Sequence, residues 1–66
     1  TINNLEKADT DLVGNMVQTA KEIAKQQDIA EDGYRLVFNC GDDGGQEIDH
    51  IHLHLLGGRQ MEWPAG

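Results

Sequence analysis

The stretch that decides the fold is His50-Ile51-His52-Leu53-His54-Leu55-Leu56, in which histidine alternates with aliphatic residues. Successive side chains of a β-strand point to opposite faces, so this pattern predicts a strand with one apolar face and one histidine face. Residues two apart lie roughly 6–7 Å apart along a strand, which would place the three imidazoles in a row. The aliphatic side chains alone are enough to pack this strand against a core. The three histidines therefore indicate a chemical function.

Outward from this stretch, hydrophobic spacing and glycine content divide the chain into elements. In chain order we predict an irregular lead-in over 1–9, a helix over about 10–27 with Thr10 as N-cap, a connection over 28–33, a strand over 34–39, a glycine-rich loop over 40–46, a strand over 47–56 and an irregular tail over 59–66. The short loop predicts that the two strands pair antiparallel. With the helix packed on their apolar face, the fold class is α+β.

The composition excludes several kinds of partner. The 66 residues include 5 Lys and Arg against 12 Asp and Glu, a net charge of −7. Duplex nucleic acid and anionic membranes would repel such a chain, and no apolar run approaches the roughly 20 residues that cross a bilayer. Cys40 is the only cysteine, which excludes an internal disulfide and favours a reducing, cytoplasmic setting. A small phosphate ligand stays compatible, since backbone N–H groups and histidines can hold it.

The three histidines admit three interpretations. They could be polar residues on a solvated sheet face, although Thr, Lys and Glu are more usual there. Two imidazoles of a His-x-His strand can bind one zinc ion, but three in-line histidines do not easily converge on a tetrahedral ion. A neutral imidazole can also attack phosphorus and form a covalent intermediate, with the neighbouring histidines and loop N–H groups as support. The pattern favours this third interpretation, with neither a metal nor a cofactor.

The histidine run resembles the His-φ-His-φ-His-φ-φ signature (φ, hydrophobic) of the histidine triad, or HIT, superfamily. Further likeness to its Hint branch, the histidine triad nucleotide-binding proteins, lies in residues 33–39, 44–46, 57–61 and 63–64. The resemblance covers essentially the whole chain and implies a HIT-like antiparallel sheet with a packed helix. HIT domains are longer than this chain. Residues 1–66 are therefore expected to be the C-terminal portion of a single HIT domain, without its N-terminal strands and their purine and ribose contacts.

The resemblance also implies a function. Hint-like proteins are homodimers that bind purine nucleotides and hydrolyse nucleoside 5′-phosphoramidates, including adenylated amines. By position, His52 is similar to the nucleophile that takes the nucleotidyl group, His50 would orient and polarise it, and His54 would contact the phosphate or the leaving group. The residues similar to substrate-binding positions are Asn39, Gly45 and Gln46 around the phosphate, Glu47 near the scissile bond, and Trp63, which would reach towards the partner subunit's site.

Glu47 departs from the resemblance, because many Hint relatives carry Ser or Thr at this position. A carboxylate there could accept from, or protonate, an amine leaving group, and it could equally repel the phosphate. Two other functions therefore stay open: a non-catalytic module that binds a nucleotide or a partner, and a zinc-binding module.

Overall fold

The computed structural model describes residues 1–65, which form one helix and two strands. The elements are α1, Thr10–Gln26, then β1, Tyr34–Phe38, and β2, Leu53–Gly57, preceded by short 3-10 turns at Ile2–Asn4 and Lys7–Asp9. This arrangement confirms the α+β class and the order of elements. The predicted tail extends to Gly66, which lies outside the described residues.

Strands β1 and β2 pair antiparallel, as predicted. Residues directly opposite each other in such a pair share a face of the sheet. On one face Leu36 stands opposite Leu55 and Phe38 opposite Leu53, and on the other face Val37 stands opposite His54 and Arg35 opposite Leu56. The first face is the apolar one, because the helix contacts β2 and lies along the groove that Leu53 and Leu55 line.

The core between the helix and the sheet is thin. Among residues 1–65 the fully buried apolar side chains are those of Ala20 and Ala24, one helical turn apart. An open apolar groove of about 500 Å³ remains between α1 and residues 51–55. Leu12 and Ile23 line this groove and remain 52% and 42% exposed. The helix therefore offers the sheet more apolar surface than two strands can cover.

The start of the helix differs from the prediction that Thr10 is its N-cap. Asp9 is the N-cap residue, and its carboxylate accepts a hydrogen bond from the N–H of Glu6 at 2.9 Å. The Thr10 hydroxyl donates instead to the Lys7 carbonyl at 2.8 Å. The lead-in is therefore not irregular, because its polar side chains stabilise a 3-10 turn that runs directly into α1.

The second strand is shorter than the predicted 47–56. Residues 47–52 are irregular and β2 begins at Leu53, so the prediction that three histidines stand in a row on one strand is wrong. The reason lies in the partner: β1 ends at Phe38, opposite Leu53, and no other described strand pairs with residues 47–52. Alternation of side chains does not make a strand without a partner for its N–H and C=O groups.

Gly57 is the point where the connection after the helix meets β2. A Cβ at this position would overlap the side chain of Ile29. We expect Gly57→Ala to lower the free energy of unfolding by about 1–3 kcal/mol, because Ile29 must move out of its place. Gly14→Ala is the control, because nothing lies near the position of a Cβ added to Gly14. This substitution within the helix should raise the free energy of unfolding by about 0.5–1 kcal/mol. Urea unfolding measures both, and a neutral Gly57→Ala would contradict the packing.

Candidate active site

His52 lies immediately before β2, is half-buried, and borders the groove beside α1. Its Nδ1 is 2.8 Å from the carbonyl oxygen of His50. A carbonyl can only accept, so Nδ1 carries the proton in this bond. In the neutral ring Nε2 then keeps its lone pair. The main chain thus holds His52 in the tautomer that can act as a base or a nucleophile.

His54 lies next to His52, on the face of β2 that points away from the helix. The ring centroids of the two imidazoles are 4.8 Å apart, with an angle of 76° between the ring planes. His54 is exposed and pairs across the sheet with Val37. A group that binds to the free Nε2 of His52 would therefore come within reach of a second imidazole.

His50 takes part through its backbone. It lies in a bend and is exposed, and its contact with His52 is made by its carbonyl oxygen. The structure therefore brings two histidine rings together and adds the third residue as a hydrogen-bond acceptor. Of the three rings predicted to lie in a row, those of His52 and His54 are neighbours, because these two residues flank the first residue of β2.

The glycine-rich loop before the histidines is held by two amide side chains. Asn39 Nδ2 donates to the carbonyl of Gly44 at 2.7 Å. Gln46 uses both ends of its amide, since Oε1 accepts from the N–H of Gly41 at 2.9 Å and Nε2 donates to the carbonyl of Ile48 at 2.8 Å. Two of the three residues expected at a phosphate pocket, Asn39 and Gln46, thus hold the loop that leads to the histidines.

Gly45 adopts a left-handed backbone conformation in this loop. Its φ of 77° lies in the region that side chains rarely adopt. Its N–H donates to the Asp42 carbonyl at 3.0 Å, and the N–H of Gln46 donates to the Gly41 carbonyl at 3.0 Å. These two N–H groups are therefore directed at the loop itself. An anion bound here would have to compete with those carbonyls or use other donors.

Glu47 is exposed and belongs to a strongly acidic segment. Residues 40–52 contain four carboxylates and neither Lys nor Arg; the acids are Asp42, Asp43, Glu47 and Asp49. Negative charge on one wall of a site attracts cationic groups and repels anionic ones. This segment favours a ligand whose part near Glu47 is positively charged.

Trp63 contacts β1 rather than the histidines. Its ring lies under the guanidinium of Arg35, with 5.1 Å from Cζ to the ring centroid, and 81% of its surface is exposed. Arg35 Nη2 also donates to the carbonyl of Glu62 at 3.1 Å. The sequence alone did not single out Arg35 as a partner of the tail. The one available signal was a long cation within an otherwise apolar strand.

Two further observations limit the chemistry of the described part of the chain. Within residues 1–65 no three side chains of His, Cys, Asp or Glu come close enough together to hold a metal ion. Over the same residues, no helix combines the length and the apolar character needed to cross a membrane. The thiol of Cys40 is free and half-buried.

Comparison with known proteins identifies the class. Residues 1–61 match the HIT domain family, and the chain belongs to this family, as predicted. Its structure is similar to that of a HIT family hydrolase from Legionella pneumophila, with 55% identity and a TM-score of 0.98 over 100% of this chain and 59% of that one. A HIT family hydrolase from Clostridium thermocellum is 36% identical, with a TM-score of 0.88 over 92% of this chain and 53% of that one.

Curated relatives support the Hint-like branch. Adenylylsulfatase HINT1 of Arabidopsis thaliana is 48% identical over 98% of this chain and 44% of its own length. Purine nucleoside phosphoramidase of Escherichia coli is 49% identical over 92% of this chain and 51% of its own. The 14 kDa zinc-binding protein of Zea mays is 51% identical over 92% of this chain and 47% of its own length. The chain thus spans about half the length of the curated relatives it matches.

The two hydrogen bonds that Gln46 makes with the loop can be tested through the N–H of Gly41. Gln46→Leu removes both hydrogen bonds, while Gln46→Glu keeps an acceptor for that N–H. We expect Gly41 to exchange its amide hydrogen roughly fivefold faster in Gln46→Leu, since one such bond contributes about 1 kcal/mol. Gln46→Glu should keep most of the protection. Hydrogen exchange followed by NMR measures this, and equal exchange in wild type and Gln46→Leu would contradict the contact.

The tautomer of His52 is a second consequence of the geometry. When the His52 ring is neutral, we expect nitrogen-15 NMR to show its proton on Nδ1, because that nitrogen donates to a carbonyl. The exposed ring of His54 is the internal comparison and should show the mixed tautomers of a solvated imidazole. A predominantly Nε2-protonated His52 would rule out the assigned hydrogen bond.

Proposed function

We propose that this protein is a nucleotide hydrolase of the HIT type that cleaves nucleoside 5′-phosphoramidates through a covalent nucleotidyl-His52 intermediate. The observation that carries the proposal is the 2.8 Å hydrogen bond from His52 Nδ1 to the His50 carbonyl. It leaves Nε2 as the nucleophilic nitrogen and orients the ring, as nucleophilic catalysis requires. The names of two relatives, purine nucleoside phosphoramidase and adenylylsulfatase, support the same class of reaction.

The reaction has two steps at the α-phosphorus. In the first, His52 Nε2 attacks, a bond from the ring to phosphorus forms, and the bond from phosphorus to the amine breaks as the amine nitrogen takes up a proton from an acidic group of the site. In the second, water attacks the same phosphorus and the bond to His52 breaks. The hydroxyl stays on the phosphate, the other proton of water returns to the site, and the nucleoside monophosphate leaves with neutral His52 restored.

The neighbouring residues support these steps in different ways. The His50 carbonyl orients the attacking ring, and the imidazole of His54 would hold the phosphoryl oxygens or the leaving group. Asn39, Gly45 and Gln46 would shape the phosphate side of the site by keeping the loop in place. On the leaving-group side, Glu47 would favour a protonated amine, because its acidic segment repels an anion.

The proposal extends to the molecular unit. Residues 1–66 would be the C-terminal portion of one HIT domain, which acts as a cytoplasmic homodimer on purine nucleotides. The open groove along α1 supports further protein structure against it, because large apolar surfaces are usually covered. The outer edges of the two-stranded sheet support the same conclusion. The free thiol of Cys40 fits a reducing compartment.

The test is amine release from an adenosine 5′-phosphoramidate by the whole HIT domain, because residues 1–66 alone are expected to lack the purine and ribose contacts. His52→Ala should lower kcat at least about 10³-fold, since it removes the nucleophile. His50→Ala should be much milder, because the carbonyl that holds His52 stays in the backbone. Both variants should still bind adenosine monophosphate. Unchanged turnover in His52→Ala would remove this residue from the mechanism.

The same assay separates the alternatives. A wild-type protein that binds the nucleotide and releases no amine would be a binding module. A stoichiometric amount of zinc by elemental analysis, lost in His52→Ala, would support a metal site instead. The names of the phosphoramidase and adenylylsulfatase relatives favour the hydrolase, whereas the bond from His52 Nδ1 to a carbonyl suits both a nucleophile and a zinc ligand.

A further inference from the structure

One side chain of β1, that of Arg35, makes two contacts with the tail after β2. Arg35 donates from Nη2 to the Glu62 carbonyl at 3.1 Å, and its guanidinium stacks on the ring of Trp63 at 5.1 Å. Arg35 and Glu62 are 27 residues apart in the chain. Because Trp63 is 81% exposed, packing against other side chains contributes little to its placement.

Arg35 also lies beside the histidines. It pairs across the sheet with Leu56, while Val37, two residues on, pairs with His54. Arg35 and His54 are therefore diagonal neighbours on the same face, with Cα atoms about 7–8 Å apart. The residue that binds the tail thus stands next to one of the two imidazoles in ring contact.

We propose that Arg35 is a positioning residue, which fixes Glu62 and Trp63 on the histidine face of the sheet and so controls how Trp63, by position similar to a substrate-binding residue of Hint-like proteins, meets the leaving group. The inference about the leaving group rests on the proposed function, while the placement of the tail does not. A guanidinium suits this task because it is planar and can donate to a carbonyl while it stacks on an aromatic ring. The ammonium group of a lysine carries the same charge but has no planar surface that could stack on the ring.

Arg59 supplies a matched control. Together with Arg35 and Trp63 it lines a cavity of about 240 Å³, so it has the same charge and a similar setting. Its own hydrogen bond, however, goes to the carbonyl of the adjacent Gln60 at 3.1 Å. Loss of Arg59 should therefore leave the placement of the tail unchanged.

The first measurement is the NMR order parameter of Glu62 and of Trp63, the only tryptophan of the chain. In the wild-type protein both backbone amides should be near the rigid value of about 0.85, and in Arg35→Gln they should fall below about 0.6. Arg35→Lys should give intermediate values, and Arg59→Gln should match the wild type. Unchanged order in Arg35→Gln, or an equal loss in Arg59→Gln, would overturn the proposal.

The second measurement is the ratio of kcat/KM for two phosphoramidates, one with an aromatic and one with a small aliphatic amine. Arg35→Gln and Trp63→Ala should each change this ratio about two- to fivefold in the same direction, as expected for an exposed cation–π contact. The double variant should show no further change, because both substitutions remove the same contact. Additive effects, or an unchanged ratio in Arg35→Gln, would overturn the role in leaving-group preference.

Failure of the proposed function gives a different result. If the wild-type protein releases no amine, the hydrolase assignment fails. The order parameters still decide whether Arg35 places the tail.

Discussion

The antiparallel register of β1 on β2 is the constraint on which the rest of this structure depends. It turns Leu55 towards the helix and His54 away from it. Because side chains alternate along a strand, a slip by one residue would exchange these two faces and expose the leucine. The helix can pack only on the apolar face, and the tail can dock only on the other one. Two sets of contacts on opposite sides of the sheet therefore follow from one ladder of backbone hydrogen bonds.

The candidate chemistry lies where this ladder ends. Backbone and side-chain polar groups beyond a strand need other partners. In the stretch between the strands these come from Asn39, Gln46 and the carbonyl of His50. The same bonds that satisfy an irregular segment also fix the orientation of His52. Local structure and the arrangement of the site are thus two results of the same few contacts.

The sequence predicts well what depends on local periodicity. The helix from Thr10 and the strand at Tyr34 were evident in the spacing of apolar residues, and the antiparallel pairing followed from the short loop between the strands. The length of β2 was not, because it depends on where β1 stops. The main-chain role of His50 was also hidden, since a carbonyl is common to every residue type. The contact of Arg35 with the tail joins distant parts of the chain, so the presence of a cation in an apolar strand marks Arg35 as unusual but does not indicate its partner.

The tie between Arg35 and Trp63 differs from the other contacts of the sheet because it is open to water. The Debye length falls from about 8 Å at physiological ionic strength to about 3 Å at 1 M salt, so the 5.1 Å stack of Arg35 on Trp63 is screened at high salt. The leucine pairs on the other face have no comparable sensitivity, since their burial is strengthened rather than screened by many salts. The two sides of this small sheet thus respond to dissolved salt in opposite ways. Ionic strength becomes a variable that can loosen the tail while the packing beneath it holds.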